Sequence, residues 1–493
     1  MHLSDLIADL PQVTVQGTLE RKVSGIYYDS RQVKKDGVFV CISGFKTDGH
    51  KYVFQAVEKG ATVIVAEKDI ALSSDITVLK VPDTRLALAL LANAYYDYPS
   101  RKFRLIGVTG TNGKTSVTYL IRAILKKAGQ KVGLLGTIAN LIDEQKIPSE
   151  HTTPESSDLQ HLFSKMREQK VDSAVMEVSS HALELKRVAG SEYDVAVFTN
   201  LTQDHLDFHP SLEAYLEAKA KLFKHLGPGW KNKSKYAVLN WDDPSSKLIA
   251  SQTKVPIVTY GVKEGATYRA EDIELHLTGT SFVIKCPAGA YSLHLNLAGE
   301  FNVYNALAAF AVGMEEGIES HLILEALEEM KGVPGRFEQV DCGQDFAVIV
   351  DYAHTPDGLE NLLKTARAVT KGKVITVFGC GGDRDKAKRP IMGRVASSMS
   401  DYCIVTSDNP RTEEPRSIIK DIEGGLVSKS YEIIVDRRDA IARAVECAQK
   451  GDMVVIAGKG HEDYQIIGNK IIPFDDRKVA RDILTKRGSF YDR

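Results

Sequence analysis

A chain of 493 residues is too long for one hydrophobic core, and the usual domain size predicts about three domains. Its 63 Lys and Arg against 65 Asp and Glu leave a formal charge of −2, which excludes a global basic field for nucleic acid or membrane surfaces, so an anionic ligand needs local basic groups. No apolar run reaches bilayer-spanning length, no basic-then-apolar signal follows Met1, and the six scattered cysteines show no zinc, redox or disulfide spacing, so a cytoplasmic protein is expected, taken separately to be a monomer.

In chain order, residues 1–100 read as a small α/β unit that ends after a helical run, 86–96, at the turn Tyr98-Pro99-Ser100. A strand at 105–108 follows, then Thr109-Gly110-Thr111-Asn112-Gly113-Lys114-Thr115. The next helix repeats apolar residues at Val117, Leu120, Ile121, Ile124, Leu125 and Ala128 until Gly129 caps it. A glycine-rich turn entering a helix exposes backbone N–H groups at the positive end of the helix dipole. Lys114 adds a charge for outer phosphates, and the Thr115 hydroxyl suits magnesium. Val108 stands where the strict pattern has its first glycine, so this is a variant phosphate cradle. A strand at 174–178 leads to Ser179-Ser180-His181, and one at 195–199 leads to Asn200, Asp204 and His205. These ends are expected to converge on the nucleotide. Glu177 is the expected carboxylate for its divalent cation. The crowded acids and histidines of Asp204-His205-Leu206-Asp207-Phe208-His209 fit either a turn or a separate metal centre, and neighbouring Lys114 favours a magnesium–nucleotide site.

A second break, Gly332-Val333-Pro334-Gly335, follows the helical run 322–330, so the central domain is taken as 101–333 and the last as 334–493. Arg336, just beyond, reads either as a domain-bridging group for a phosphate or ribose or as a solvated linker residue. In the last domain four apolar runs end in polar clusters: 347–350 before Asp351, 374–378 before Gly379-Cys380-Gly381-Gly382-Asp383-Arg384, 403–406 before Asp408-Asn409-Pro410-Arg411, and 453–457 before Gly458-Lys459-Gly460-His461-Glu462. Continuous apolar runs alternating with helices indicate parallel sheets covered on both faces, with ligands beyond the carboxyl ends of the strands. The predicted fold is α/β: a small N-terminal domain, a central doubly wound sheet of P-loop ATPase type, and a Rossmann-like C-terminal domain. Arg384 and Arg411 suit bidentate recognition of a carboxylate-bearing substrate. The Gly379–Gly382 stretch lacks the full dinucleotide fingerprint, and nothing places a base beside Cys380 to make it a nucleophile.

The motifs Gly110-Thr111-Asn112-Gly113-Lys114-Thr115, Glu177-Val178-Ser179-Ser180-His181, Asn200-Leu201-Thr202-Gln203-Asp204-His205, Gly299-Glu300-Phe301-Asn302-Val303-Tyr304-Asn305-Ala306, Gly335-Arg336-Phe337-Glu338 and Asp351-Tyr352-Ala353-His354-Thr355-Pro356 together resemble those of the Mur ligase family. The resemblance runs from about Asp29 to Glu462. It implies an amide-forming ligase of peptidoglycan precursor synthesis that uses ATP and Mg2+, with no nucleic-acid partner and no membrane insertion. It assigns the triphosphate to Gly110, Thr111, Asn112, Gly113, Lys114, Thr115 and Ser116, with Asn302, Arg336 and Asp351 on adenosine or phosphate. Magnesium falls to Thr115, Glu177, His205 and Lys219, the last as a carbamate, and Lys114, Lys219 and His205 are the implied catalytic groups. Asp29-Ser30-Arg31 and Thr152-Thr153-Pro154-Glu155 are similar to the substrate motifs of members acting on UDP-MurNAc-L-Ala-D-Glu, which implies Ser30, Thr152, Thr153, Ser179 and Arg187 as its binding residues. The sequence from Asp408 to Arg411 resembles the form associated with meso-diaminopimelate, to be held by Arg384, Asp408, Asn409, Pro410, Arg411, Gly458 and Glu462. A distal carboxylate suits the two arginines, whereas lysine presents them only a cation. The alternatives are an L-lysine-adding or folylpolyglutamate-type ligase and, from another class, a P-loop switch that hydrolyses nucleotide to change partners. The switch leaves the strand-end arginines without a role.

Overall fold

Apolar strands form the centres of three sheets, each with its own core. The computed structural model describes residues 1–44, 47–149, 151–227, 229, 231 and 234–491. Its first sheet runs Thr14–Gln16, Thr77–Lys80, Ala61–Ala66, Gly37–Val40, Gly25–Tyr27, parallel except for the antiparallel edge strand Thr14–Gln16. The helix Thr84–Tyr95, capped by the Asp83 carboxylate accepting from the Leu86 N–H, buries Leu88 and Leu91 against it.

The central sheet has a parallel middle in which Arg104–Thr109 lies between Val195–Phe198 and Ser173–Glu177. Three chain segments therefore emerge side by side at one sheet edge: the glycine-rich loop, Glu177 with Ser179, and Asn200. Antiparallel strands extend both margins, Tyr268–His276 with Gly279–Cys286 and Gly289–Leu295 on one side and Asn140–Ile142 with Gln145–Ile147 on the other. These additions were not part of the doubly wound expectation, because short polar-faced hairpins carry no βα rhythm. The helix Lys114–Lys127 buries Val117, Leu120, Ile121, Ile124 and Leu125, and Gly129 beyond its end takes φ +82°, the left-handed cap expected of it. The helix Glu300–Glu315 packs on the same layer with an alanine-rich surface and a glycine, Gly313, where it meets Ile124 and Ile323.

In the third sheet all four expected apolar runs are strands. The order is Glu338–Gln339, Ala347–Asp351, Met453–Ala457, Val374–Phe378, Tyr402–Val405, Tyr431–Ile433, with only the first strand antiparallel. A separate hairpin, Tyr464–Ile467 with Lys470–Pro473, stands beyond it. The six cysteines are free, and among the described residues no helix is long and apolar enough to cross a membrane.

One ion pair fastens the last helix to this sheet. Arg437 donates from Nε to Asp476 Oδ1 (2.8 Å) and from Nη2 to Asp476 Oδ2 (2.7 Å) and to the Ala457 carbonyl (3.0 Å), with both side chains fully buried. Breaking such a pair leaves an uncompensated charge, whereas replacing both members does not. Asp476→Leu is therefore expected to cost about 3–5 kcal/mol, read as a fall on the order of 10 °C in the melting transition of this domain. The double variant Arg437→Met/Asp476→Leu should recover more than half of that fall.

Candidate active site

The glycine-rich loop is shaped by backbone demands. Gly110 (φ +147°) has no room for a Cβ, which would overlap Thr199 Oγ1, and a Cβ at Gly113 (φ +85°) would lie 2.5 Å from Asn305 Oδ1. Asn200 clamps the loop: its carbonyl accepts from the Thr111 N–H (2.8 Å), its Oδ1 from the Asn112 N–H (2.9 Å), and its Nδ2 donates to the Asn112 carbonyl (3.2 Å). Lys114 Nζ curls back to donate to the carbonyls of Gly110 (2.9 Å) and Thr111 (2.7 Å). Lys219 Nζ donates to that same Gly110 carbonyl (2.7 Å) and lies 4.1 Å from the centre of the Tyr215 ring. Burial first, then the neighbouring Lys114 charge, pull the Lys219 pKa well down and favour its neutral amine. A neutral amine is the form that takes up carbon dioxide as a carbamate, so the environment fits the role that the resemblance implies.

Glu177, 1% exposed, stands beside the loop. Its Oε2 accepts from Thr115 Oγ1 (3.0 Å) and Thr137 Oγ1 (3.1 Å), and its Oε1 from the Thr137 N–H (2.8 Å). Arg336 Nη2 donates to Thr115 Oγ1 (3.1 Å) across the domain boundary, and its guanidinium covers the Tyr352 ring at 4.7 Å. It is thus a bridging group and not a solvated linker residue. Asp351 accepts from the N–H groups of Phe337 (2.6 Å) and Ala353 (2.7 Å), and burial raises its pKa. A second bridge runs from Asn112 Nδ2 to Asp357 Oδ2 (2.7 Å).

Three cavities meet here. One of about 380 Å³ is lined by Asn112, Ser116, Tyr304, Asn305, Arg336 and Asp351. Asn302 points inward instead, donating to the Ala298 carbonyl (2.9 Å) and accepting from Asn305 Nδ2 (3.0 Å), so it orients Asn305 and does not line the space itself. A smaller cavity of about 130 Å³ gathers Lys114, Thr115, Glu177, His205, Lys219 and Arg336. His205 takes φ +55°, with Nε2 3.2 Å from Asp204 Oδ2. Burial, only partly offset by Asp204, pulls His205 down to about 3. Burial acts to raise Asp204, but His205, His354 and Lys388 outweigh it and bring it down to about 2. Among the described residues no three His, Cys, Asp or Glu side chains form a metal cage. Touching hard oxygens of Thr115 and Glu177 beside a phosphate loop suit magnesium, which keeps waters and phosphate oxygens as most of its ligands.

The third cavity, about 690 Å³, is lined by Arg384, Asp408, Asn409, Arg411, Gly458 and Glu462 on one side and Thr152, Asp204 and His205 on the other. Asn409 Nδ2 donates to Glu462 Oε2 (2.9 Å), while its Oδ1 accepts from Lys459 Nζ (3.2 Å) and the Ile466 N–H (2.9 Å). With its amide oxygen bonded twice and its nitrogen once, Asn409 shapes the wall. Lys459, completely buried, pairs with Glu462 at 2.9 Å. Burial raises the Glu462 pKa, and the Lys459 charge opposes it. Gly458 (φ +117°) leaves no space for a Cβ, which would meet Asp408 Oδ2 at 2.8 Å. Arg411 Nη1 donates to the Gly382 carbonyl (2.7 Å), Arg384 is exposed at the rim, and Pro410 backs onto Gly382 without lining the cavity. The Cys380 thiol is buried and pushed up to about 12, the state of an inert thiol.

Of the residues expected to hold the UDP-linked substrate, four cluster beside Glu177. Thr153 Oγ1 donates to the Glu177 carbonyl (2.8 Å) and accepts from the Ser179 N–H (3.1 Å), Arg187 Nη1 donates to the Thr153 carbonyl (3.2 Å), and the Thr152 and Thr137 hydroxyls lie 3.0 Å apart. Ser30 lies apart in the first domain, donating to Gln55 Oε1 (2.6 Å). The sequence places Asn200 at a strand end expected to converge on the nucleotide but not its clamp on the loop, and it does not single out Lys459 as a site residue. Asn200 follows a strand that the sequence places correctly, but Lys459 has no signal beyond its place in a strand-end glycine cluster.

Three family profiles cover most of the chain: Mur ligase family, catalytic domain, at residues 22–96; Mur ligase middle domain at 108–313; and Mur ligase, glutamate ligase domain, at 335–460. The chain is 50% identical over 487 residues to the UDP-N-acetylmuramoyl-L-alanyl-D-glutamate–2,6-diaminopimelate ligase of Syntrophomonas wolfei, covering 98% of this chain and 99% of that one. A solved structure titled as a ligase of that same name superposes with TM-score 0.70 at 32% identity, covering 99% of both chains. The MurF ligase from Thermotoga maritima in complex with ADP shares the fold, with TM-score 0.65 at 21% identity over 94% of this chain and 98% of that one.

The Asn200 clamp yields a direct test. Asn200→Ala removes both side-chain hydrogen bonds to Asn112, worth about 1–2 kcal/mol, so titration calorimetry should show nucleoside triphosphate binding weakened roughly five- to thirtyfold.

Proposed function

The chain belongs to the Mur ligase family, and on that premise we infer that it is an ATP-dependent amide-forming ligase of peptidoglycan precursor synthesis. It adds meso-diaminopimelate to the γ-carboxylate of the D-glutamyl residue in UDP-MurNAc-L-Ala-D-Glu. One observation carries this reading: Tyr352 and His354 line all three cavities, so a nucleotide cavity, a phosphate cavity and a carboxylate-recognising cavity adjoin at a single turn. A nucleotide switch needs only the first two.

In this reading residues 1–100 hold the UDP group with Ser30, 101–333 hold ATP, and 334–493 hold the amino acid, in a cytoplasmic enzyme acting as a monomer. Thr152, Thr153, Ser179 and Arg187 complete the UDP-substrate site. Lys114 and the loop N–H groups bind the phosphates, and Arg336 closes on them from the C-terminal domain. The γ-phosphoryl group passes to the substrate carboxylate with loss of ADP, and the amine of diaminopimelate then displaces phosphate from the acyl phosphate. Thr115, Glu177, His205 and carbamylated Lys219 would hold magnesium, which when bound neutralises charge as two anions approach. Arg384 and Arg411 take the distal carboxylate of diaminopimelate, and Asp408 and Glu462 take the ammonium beside it.

Incubation with ATP, magnesium, the UDP-linked dipeptide and diaminopimelate is expected to yield ADP, phosphate and the tripeptide. Phosphate release that does not depend on the amino acid would reject the ligase reading, and preference for lysine in competition would overturn the role of Arg411. For Lys219, alanine substitution should abolish turnover and a short carboxylic acid should restore part of it. Full activity of Lys219→Ala would leave the lysine with packing alone.

A further inference from the structure

Among the described cations buried in the C-terminal domain, one stands without a hydrogen-bonded partner. Arg389 is paired with Glu413 and Asp421 (each 2.8 Å), Arg437 with Asp476 (2.7 Å) and Lys459 with Glu462 (2.9 Å). Lys388, next to Arg389 in sequence and only 6% exposed, makes no hydrogen bond from Nζ to any described residue. The carboxylate that faces it, Asp204 across the domain boundary, stands at 4.0 Å, and the Lys388 side chain lines the large cavity beside His354 and Cys380.

Burying a charge without hydrogen bonds is unfavourable. The position adds to that cost, because Lys388 is the first residue of the helix Lys388–Met399, where the dipole disfavours a cation, and no side chain caps this end. Both fields, ammonium and helix terminus, favour an anion in the cavity.

We propose that Lys388 is a catalytic residue whose ammonium binds the phosphoryl oxygens of the acyl phosphate, as the C-terminal domain's counterpart to Lys114. This rests on the ligase reading above. An anion in that cavity is either this phosphoryl group or the carboxylate next to the attacking amine of the amino acid, and the placement favours the phosphoryl group. Lys388 faces Asp204, which lines both the large cavity and the phosphate cavity. In the first step a carboxylate oxygen bonds to the γ-phosphorus as the bond to the β-bridging oxygen breaks and ADP leaves. In the second, the neutral amine bonds to the acyl carbon, the carbon–oxygen bond to phosphate breaks, and the amine proton leaves on hydrogen phosphate. Negative charge sits on the phosphoryl oxygens throughout, where a fixed cation serves both steps.

The test compares wild type with Lys388→Met and Lys388→Arg in the full chain. Acyl-phosphate formation is followed by positional isotope exchange in ATP without amino acid, alongside KM for diaminopimelate, kcat and melting temperature. Lys388→Met should slow exchange at least a hundredfold and change the diaminopimelate KM less than threefold, with any fall in melting temperature from the lost Asp204 pair restored by Lys388→Arg together with exchange. Lys388→Arg should recover at least a tenth of the exchange. Normal exchange in Lys388→Met with a tenfold or greater rise in diaminopimelate KM would move Lys388 to the carboxylate and overturn the proposal. Normal exchange with normal KM, or slow exchange with a lowered melting temperature that Lys388→Arg restores without restoring exchange, would also overturn it. A wild-type protein that releases no amino-acid-dependent phosphate would instead sink the ligase reading itself.

Discussion

Dry crowding of Lys114, Lys219 and Arg336 around one loop is the constraint on which the site is built. Lys114 and Lys219 share one acceptor, the Gly110 carbonyl, and Arg336 reaches the same loop through Thr115. Burial pulls both amines down, and for Lys219 the neighbouring Lys114 charge adds to it, so Lys219 escapes the conflict as the neutral amine that can take up carbon dioxide. A polyphosphate relieves the strain directly. The substrate is thus part of the electrostatic balance, and an acyl phosphate that keeps its negative charge within the same walls stays stabilised through both chemical steps.

Sheet topology makes such crowding tolerable. Because Arg104–Thr109 pairs with Val195–Phe198 and Ser173–Glu177 in parallel, three loops leave the sheet in the same direction and brace one another through Asn200, Thr137 and Thr153. Rigid scaffolds of this kind can hold unfavourable charge that a free loop would relax away. The second set of walls belongs to another sheet, joined to the first through Arg336–Thr115 and Asn112–Asp357. Contacts that pass through groups lining the nucleotide cavity let nucleotide binding favour the closed arrangement, in which water is excluded from the acyl phosphate.

Much of this was legible in the sequence where the information is local. The cradle, the cap at Gly129 and the four strand ends of the last domain depend on neighbours within a few positions, and the structure has them. Arg336 was undecided because its partner, Thr115, lies 221 positions away. Lys459 and Asn409, 50 positions apart, and Lys388, facing Asp204 from another domain, were silent for the same reason. Asn302 shows the converse: a motif names the residue, but only packing tells that its amide turns inward to hold Asn305. The antiparallel margins of the central sheet escaped because their faces are mixed and their pairing is set by partners outside the hairpin.

The amino-acid cavity follows a different logic from the phosphate site. Its floor is tightly bonded: Asn409, Lys459 and Glu462 hydrogen-bond to one another, and a Cβ at Gly458 would meet Asp408 Oδ2 at 2.8 Å. A wall with no slack cannot rearrange around a smaller ligand. Arg411, held by the Gly382 carbonyl, and Arg384, exposed at the rim, are in the proposed reading the donors that take a carboxylate. An amino acid lacking that group leaves those donors unanswered and brings its own cation to them. Discrimination then comes from the penalty on the wrong ligand as much as from attraction for the right one, which is how a site built on hydrogen bonds rejects what merely fits.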